Sequence, residues 1–520
     1  MSDESQNPRA TPQTDIVLLA INAKYRHTAF GLRCLLANMG DLATHTVLLE
    51  TTIQQQAMEI VERVLSHAPK IVGIGVYIWN VELCERVARI LRQLHPDIVL
   101  VLGGPEVSHE TDQQTIVQVS DYVICGEGEE AFRTLCETLA DNQRPTNKRI
   151  SGTTPDMEQL VPPYHLYTDE DIQNRVVYVE ASRGCPYRCQ FCLSALDKKV
   201  RTVNAERFFD DLDHLLSRGA KDFKFIDRTF NLRIDFSLQI LNFFLDRLQA
   251  GLTLHFEMVP DRLPTELKQT LERFPAGIVQ LEIGVQTLDP AVGKRIDRPM
   301  NWERIRENLQ HLRQNTQMYL HVDLIVGLPG ETMNGFGTGF DQLVAPKPHE
   351  IQVGILKRLK GTPITKHDGE FGMIYNPLPP FDVLCTSAMS FPELQEMKRF
   401  ARYWDLVANR ANFRDTAPMI WQDQPSAFQA FRAFSDWLYQ RVGRTHHINL
   451  MRLAEALLDY LTDVRGFVEA DVAPQLVADL NRTGGRRFPP RLRRFQSPKS
   501  TRAAKSSRDS GLARQQRHQQ

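Results

Sequence analysis

Three of the chain's eight cysteines fall within Ser182–Cys192, SRGCPYRCQFC, at Cys185, Cys189 and Cys192. Thiolates so close together are soft ligands, suited to zinc or to an iron–sulfur cluster. A structural zinc site normally closes with four ligands, and no second cysteine pair is present to complete one. The remaining cysteines, Cys34, Cys84, Cys125, Cys136 and Cys385, are single and scattered, which is the pattern of small buried apolar residues. A cubane held by three cysteines would keep one iron free to bind a small molecule.

The elements that must position these thiols can be read around them. The cysteines directly follow VVYVEAS, the first of six apolar runs; the others are DFKFID, LTLHFEMV, IVQLEIGVQ, MYLHVDLIVGL and EIQVGILKRL. Helical stretches such as AERFFDDLDHLLSRG and IRENLQHLRQN separate them. Six β-α units with no reversal predict a partial (β/α)6 barrel over 173–375, with functional residues at the C-terminal ends of its strands. The cysteines lie on that rim. Upstream, residues 15–141 alternate DIVLLAIN, HTVLLE, IVGIGVYIW, IVLVLGG and DYVICG with helix patterns such as VELCERVARILRQL. Runs of Val, Ile and Leu without clean alternation suit buried parallel strands, so a doubly wound parallel sheet is predicted over 10–145. The fold class is therefore α/β. Residues 146–172 read as a linker, 376–480 as a mainly α-helical C-terminal domain, and 481–520 as a basic disordered tail.

Bulk properties narrow the partners. The net charge is −1 over 520 residues, which gives no electrostatic case for nucleic acid or membrane. Twelve Lys and Arg against one acid make 482–520 about +11 and leave the rest about −12. No apolar run approaches the ~18 residues of a membrane span. The opening MSDESQNPRATPQTD is polar, so no secretory signal is expected, and a reducing cytoplasm is the expected setting for clustered cysteines.

The C-x3-C-x2-C spacing with Phe191 before the third cysteine resembles the radical S-adenosylmethionine (SAM) enzymes, and the resemblance covers roughly 175–375. In that family the fourth cluster ligand is the amino and carboxylate groups of SAM. FIDRTFN (225–231) resembles the segment that receives the methionine amino group, with Asp227 and Asn231 at the rim; Asp227 reads equally as a helix N-cap. Gln286, in LEIGVQTLDP, resembles a position near the ribose and carboxylate, or satisfies loop backbone. KRIDRPMN (294–301) follows, as in many relatives. LIVGLPGET places Gly327 where backbone could lie against adenine.

GGPEVS (103–108), GEGEEAF (126–132) and VYIWN (76–80) end three strands of the first sheet, where doubly wound sheets bind ligands. Together they look like the cobalamin-binding domain fused ahead of many radical SAM enzymes. The resemblance implies Tyr77, Gly103, Gly104, Gly126, Glu127 and Gly128 as cobalamin contacts. Tyr77 and Trp79 also suit a core, and Glu129 and Glu130 suit a helix first turn. The loop NAKYRHTAFG (22–31) departs from D-x-H-x-x-G, because His27 is present without the Asp or the Gly spacing; His27 is not assigned to cobalt.

The resemblance implies a 4Fe–4S cluster that passes one electron into SAM and yields a 5′-deoxyadenosyl radical. Cobalamin-dependent methyl transfer to an unactivated carbon of a small molecule is then the expected outcome, and ring formation or rearrangement is the alternative. An electron donor such as flavodoxin or ferredoxin is implied. A reading from another class is a zinc-stapled interaction protein whose basic tail binds a polyanion.

Overall fold

The computed structural model describes residues 14–483 and 488–496. The N-terminal strands are β1 (Ile16–Asn22), β2 (Thr46–Thr52), β3 (Ile71–Gly75), β4 (Val99–Gly103), β5 (Tyr122–Cys125) and β6 (Arg149–Ser151). They form one parallel sheet in the order β2-β1-β3-β4-β5-β6. Both faces are covered, so successive strand residues point into different cores. Val17 and Leu19 join the helices Ala57–Leu65 and Val81–Leu94. Ile16 and Leu18 join Phe30–Ala37 and Glu129–Ala140. This two-sided burial explains why the strands read as continuous apolar runs.

The second sheet contains β7 (Val177–Val179), β10 (Asp222–Phe225), β11 (Thr253–Met258), β12 (Val279–Gln286), β13 (Tyr319–Val326) and β14 (Glu350–Ile355). A short antiparallel pair, β8 (Ser182–Arg183) and β9 (Arg201–Thr202), stands between β7 and β10. The main strands are parallel and follow chain order, β7-β10-β11-β12-β13-β14, as an open (β/α)6 barrel requires.

Three segments differ from the sequence expectation. The presumed linker is built into the fold: β6 extends the first sheet, and Asp169–Asn174 is a helix opened by a capping box at Thr168. The helical region after 376 shares one continuous core with the barrel. Its Trp404 meets Phe340 of the barrel helix Met333–Val344 edge-on at 4.8 Å, and Trp404 also packs on Trp421 at 5.3 Å. Gly337 allows this approach, since a Cβ there would stand 2.4 Å from the Phe428 ring. Finally, order continues past 481. The helix Glu469–Arg482 crosses that point, Phe488 and Leu492 are buried, and Arg491 and Arg494 pair with Glu469 at 2.6 and 2.5 Å. Residues 484–487 and 497–520 of the expected tail lie outside the described residues.

Candidate cluster and cofactor site

The β8–β9 pair closes a loop that carries all three clustered cysteines. Gly184 makes the closure possible: its φ is +95°, and a Cβ would stand 2.4 Å from the Lys199 carbonyl oxygen. The Cys185 N–H donates to the Asp197 carbonyl at 2.8 Å, and the Cys192 N–H to the Cys189 carbonyl at 3.1 Å. Cys185 and Cys189 are buried and Cys192 is half-buried. Burial pushes the Cys185 thiol up, and the neighbouring Cys192 and Cys189 add to that shift, as thiols gathered at one end of a loop would. Among the described residues no three His, Cys, Asp or Glu side chains are arranged to hold a single metal ion. Three soft thiolates carried on one closed loop are a donor set that suits an iron–sulfur cluster.

The residues expected around SAM are partly redistributed. Asp227 is buried at the second barrel strand's end and neither caps a helix nor points at open space. It accepts from the Ser182 hydroxyl at 2.5 Å and the Ala181 N–H at 3.0 Å, bracing the strand that leads into the cysteines. Burial raises its carboxyl to about 7, against those two donors. Asn231 is a backbone bracket, donating to the Val259 and Arg262 carbonyls and accepting from the Val259 N–H. Gly327 is occupied by packing: with φ +86°, its missing Cβ makes room for Val383 at 2.6 Å. Phe191 is half-buried against the main core. Gln286 does reach the rim. It is a non-glycine residue at φ +71° beside a register shift in β12, and its amide folds back to 2.6 Å from where a Cβ on Gly284 would sit. Strain of this kind is retained where the surroundings enforce it, commonly at functional sites. Arg298 shares this corner, donating to the Gly284 carbonyl at 2.6 Å and to the Cys189 sulfur at 3.3 Å.

On the first domain's rim the expected glycines separate into two kinds. A Cβ on Gly103 would meet nothing within 4 Å, and Gly126, at φ +92°, would meet only the Gly152 carbonyl, at 3.9 Å. These two leave a cradle of bare backbone. Gly104 and Gly128 serve the fold: a Cβ on Gly104 would lie 2.5 Å from the Val76 carbonyl, and one on Gly128 3.3 Å from Leu35. Tyr77 stacks on Trp79 at 4.5 Å and 11°, and Trp79 is half-exposed, so a flat aromatic face adjoins the cradle's rim. Bare backbone beside an aromatic face fits a large flat ligand with a tail. Glu127 is spent otherwise, as an ion-pair partner of Arg183 at 2.7 Å and of Arg201. His27 is turned to the barrel, its Nδ1 2.7 Å from the Tyr178 hydroxyl, and burial lowers its pKa.

Sequence reasoning missed the basic residues that join the two rims. Arg183, two residues before Cys185, binds Glu127 at 2.7 Å, Glu129 at 2.9 Å and Glu180 at 2.8 Å. After β14, Lys360 pairs with buried Glu106, and Arg358 with Glu110 at 3.0 Å. The available signal was the basic run KRLK directly after the last barrel strand, opposite acids in GGPEVSHE. These two clamps set the loops after β4 and β5 against the barrel mouth.

Comparison with known proteins agrees with the two domain types. The Radical SAM superfamily profile matches residues 179–339, and the B12 binding domain profile matches 16–136. A protein family of unknown function matches 369–510. The chain is 25% identical to the 2-(S-pantetheinyl)-carbapenam-3-carboxylate methyltransferase of Streptantibioticus cattleyicolor, over 85% of this chain and 71% of that protein. It is 24% identical to the cobalamin-dependent radical SAM methyltransferase TokK of Streptomyces tokunonensis, over 60% of this chain and half of that one. The structure of the radical SAM methyltransferase TsrM from Kitasatospora setae, with cobalamin and a [4Fe–4S] cluster bound, shares the fold at TM-score 0.59 and 16% identity, covering 82% of this chain and 99% of that one. A radical SAM domain takes a 4Fe–4S cluster and SAM, and a B12-binding domain takes cobalamin, so the zinc-stapled reading gives way. The chain carries a radical SAM domain with a B12-binding domain ahead of it.

Proposed function

We propose that the enzyme is a cobalamin-dependent methyltransferase acting on an unactivated carbon of a small molecule. One observation supports this reading: the Arg183 clamp ties the loop after β5 to the cysteine loop, so the bare-backbone cradle and the three thiols would serve one rim-to-rim site. Cys185, Cys189 and Cys192 would hold the cluster, Gln286 would lie beside SAM, and Gly103 and Gly126 would admit the cobalamin. When bound, the cluster and SAM supply a carbon-centred radical and the cobalamin a methyl group. The chain's own work is to orient these groups and keep water out. The β8–β9 closure fixes the thiols, Asp227 braces the entering strand, and the two clamps hold the mouth shut at its sides. The reading also calls for a low-potential electron donor of the flavodoxin or ferredoxin type and a reducing compartment.

Anaerobic reconstitution with iron, sulfide and hydroxocobalamin, followed by desalting, tests this. Stoichiometric cobalamin together with reductive SAM cleavage is the expected result. An intact cluster without retained cobalamin would remove the methyl donor and make ring closure or rearrangement the better reading.

A further inference from the structure

Arg298 makes an unusual contact for a residue 109 positions away from the cysteine it touches. One guanidinium nitrogen donates to the Cys189 sulfur at 3.3 Å, and another to the Gly284 carbonyl at 2.6 Å. Its Nε is buried and has no hydrogen-bond partner. The group also lies over the ring of Tyr187, 5.9 Å from its centroid, inside the cysteine loop.

The loop that carries Arg298 is strapped to the cysteines independently. The Gln190 N–H donates to the Ile296 carbonyl at 3.1 Å, and the Gln190 side-chain amide to Asp297 at 2.5 Å. The Gln190 side-chain oxygen meets His367 Nε2 at 2.6 Å. Behind it, the Arg298 N–H donates to the Gly293 carbonyl at 2.8 Å. The guanidinium is thus held in register with Cys189 by bonds that do not involve its own charge.

We propose that Arg298 sets the reduction potential of the cluster through the Cys189 sulfur, as a positioning residue that makes the enzyme's first electron easier to accept. The inference rests on the reading of the three cysteines as cluster ligands. Reduction adds one electron from the low-potential donor; no bond is made or broken, and one unit of negative charge spreads over irons and sulfurs. A fixed positive charge and an N–H···S hydrogen bond both stabilise the more negative state, and hydrogen bonds to the sulfurs are among the determinants of cluster potential.

The test is a redox titration of the reconstituted full-length protein, followed by electron paramagnetic resonance, for the wild type, Arg298→Lys and Arg298→Gln. Iron content and SAM affinity are measured on the same samples. The expected result is full iron content, a Gln variant whose reduction equilibrium constant falls about tenfold, equal to about 59 mV for one electron, and a Lys variant between the two. If Arg298→Gln fails to assemble, Arg298→Lys decides, because one ammonium cannot span both Gly284 and Cys189; a wild-type potential there overturns the proposal. Unchanged potentials with weakened SAM binding would also overturn it and move Arg298 to the SAM carboxylate. A wild type that builds no cluster would instead defeat the reading of the cysteines.

Discussion

Gly103 and Gly104 are neighbours in sequence with different duties. Gly104 sits at φ +106° with the Val76 carbonyl 2.5 Å from where a Cβ would be, so a side chain there strains backbone whatever is bound. A Cβ on Gly103 enters open space. Gly103→Val should therefore leave thermal unfolding near wild type while abolishing cobalamin retention after desalting. Gly104→Val should cost stability on the order of 1–3 kcal/mol from the left-handed backbone alone, more from the clash, and lose cobalamin only with the fold. Normal cobalamin uptake by a folded Gly103→Val protein would place the ligand elsewhere. From the sequence both glycines of GGPEVS looked like space for a ligand tail; only the backbone angle and the approach of Val76 separate them. The cysteines were legible for the opposite reason. Their chemistry lies in spacing along eight residues of chain, and spacing survives without a structure.

The elements were legible wherever burial was simple. Both sheets are parallel; the first is covered on both faces, so its strands appear as continuous apolar runs, whereas the barrel strands alternate buried apolar residues with half-buried ones. Contacts between elements were not legible, because they depend on pairs far apart in the chain. Arg183 and Glu127 are 56 residues apart, and Arg358 and Glu110 are 248 apart. The Arg183 clamp can be tested as an element-scale joint. Its guanidinium pairs with three carboxylates, two of them, Glu129 and Glu180, in residues under a tenth exposed. Removing one member of a buried charge group leaves its partners uncompensated, typically at about 3–5 kcal/mol. Arg183→Ala should lower the unfolding midpoint and release cobalamin on desalting, with iron content retained because β8–β9 pairing and the Cys185–Asp197 bond are backbone features. Loss of iron with cobalamin retained would mean that Arg183 serves the cysteine loop alone.

At the scale of the whole molecule, a buried group of four charges joins the first domain to the rest, beside the two clamps and the packing of Phe30 and Cys34 into the barrel's core. Arg33 and Glu50 come from the first domain, Asp171 from the helix before the barrel and Arg175 from the residue that ends it. Arg175 also donates to the Tyr25 and His27 carbonyls, and Arg33 lies over the Tyr167 ring at 5.0 Å. Burial alone would raise the Glu50 carboxyl, but hydrogen bonds from Arg33 and Arg175 outweigh it and bring the group from 4.5 down to about 2. Asp171 is lowered in the same way. A carboxylate whose pKa is depressed by folding contributes stability above its unfolded value and loses it as pH falls toward its folded value. The joint should therefore weaken between pH 4.5 and about 2. Scattering at falling pH should show the molecule extending before far-ultraviolet dichroism reports any loss of helix. Glu50→Gln, which leaves two buried guanidiniums facing a neutral amide, should extend at neutral pH. If size and helix content change together in both cases, the two domains unfold as one unit, and the charges are not what joins them.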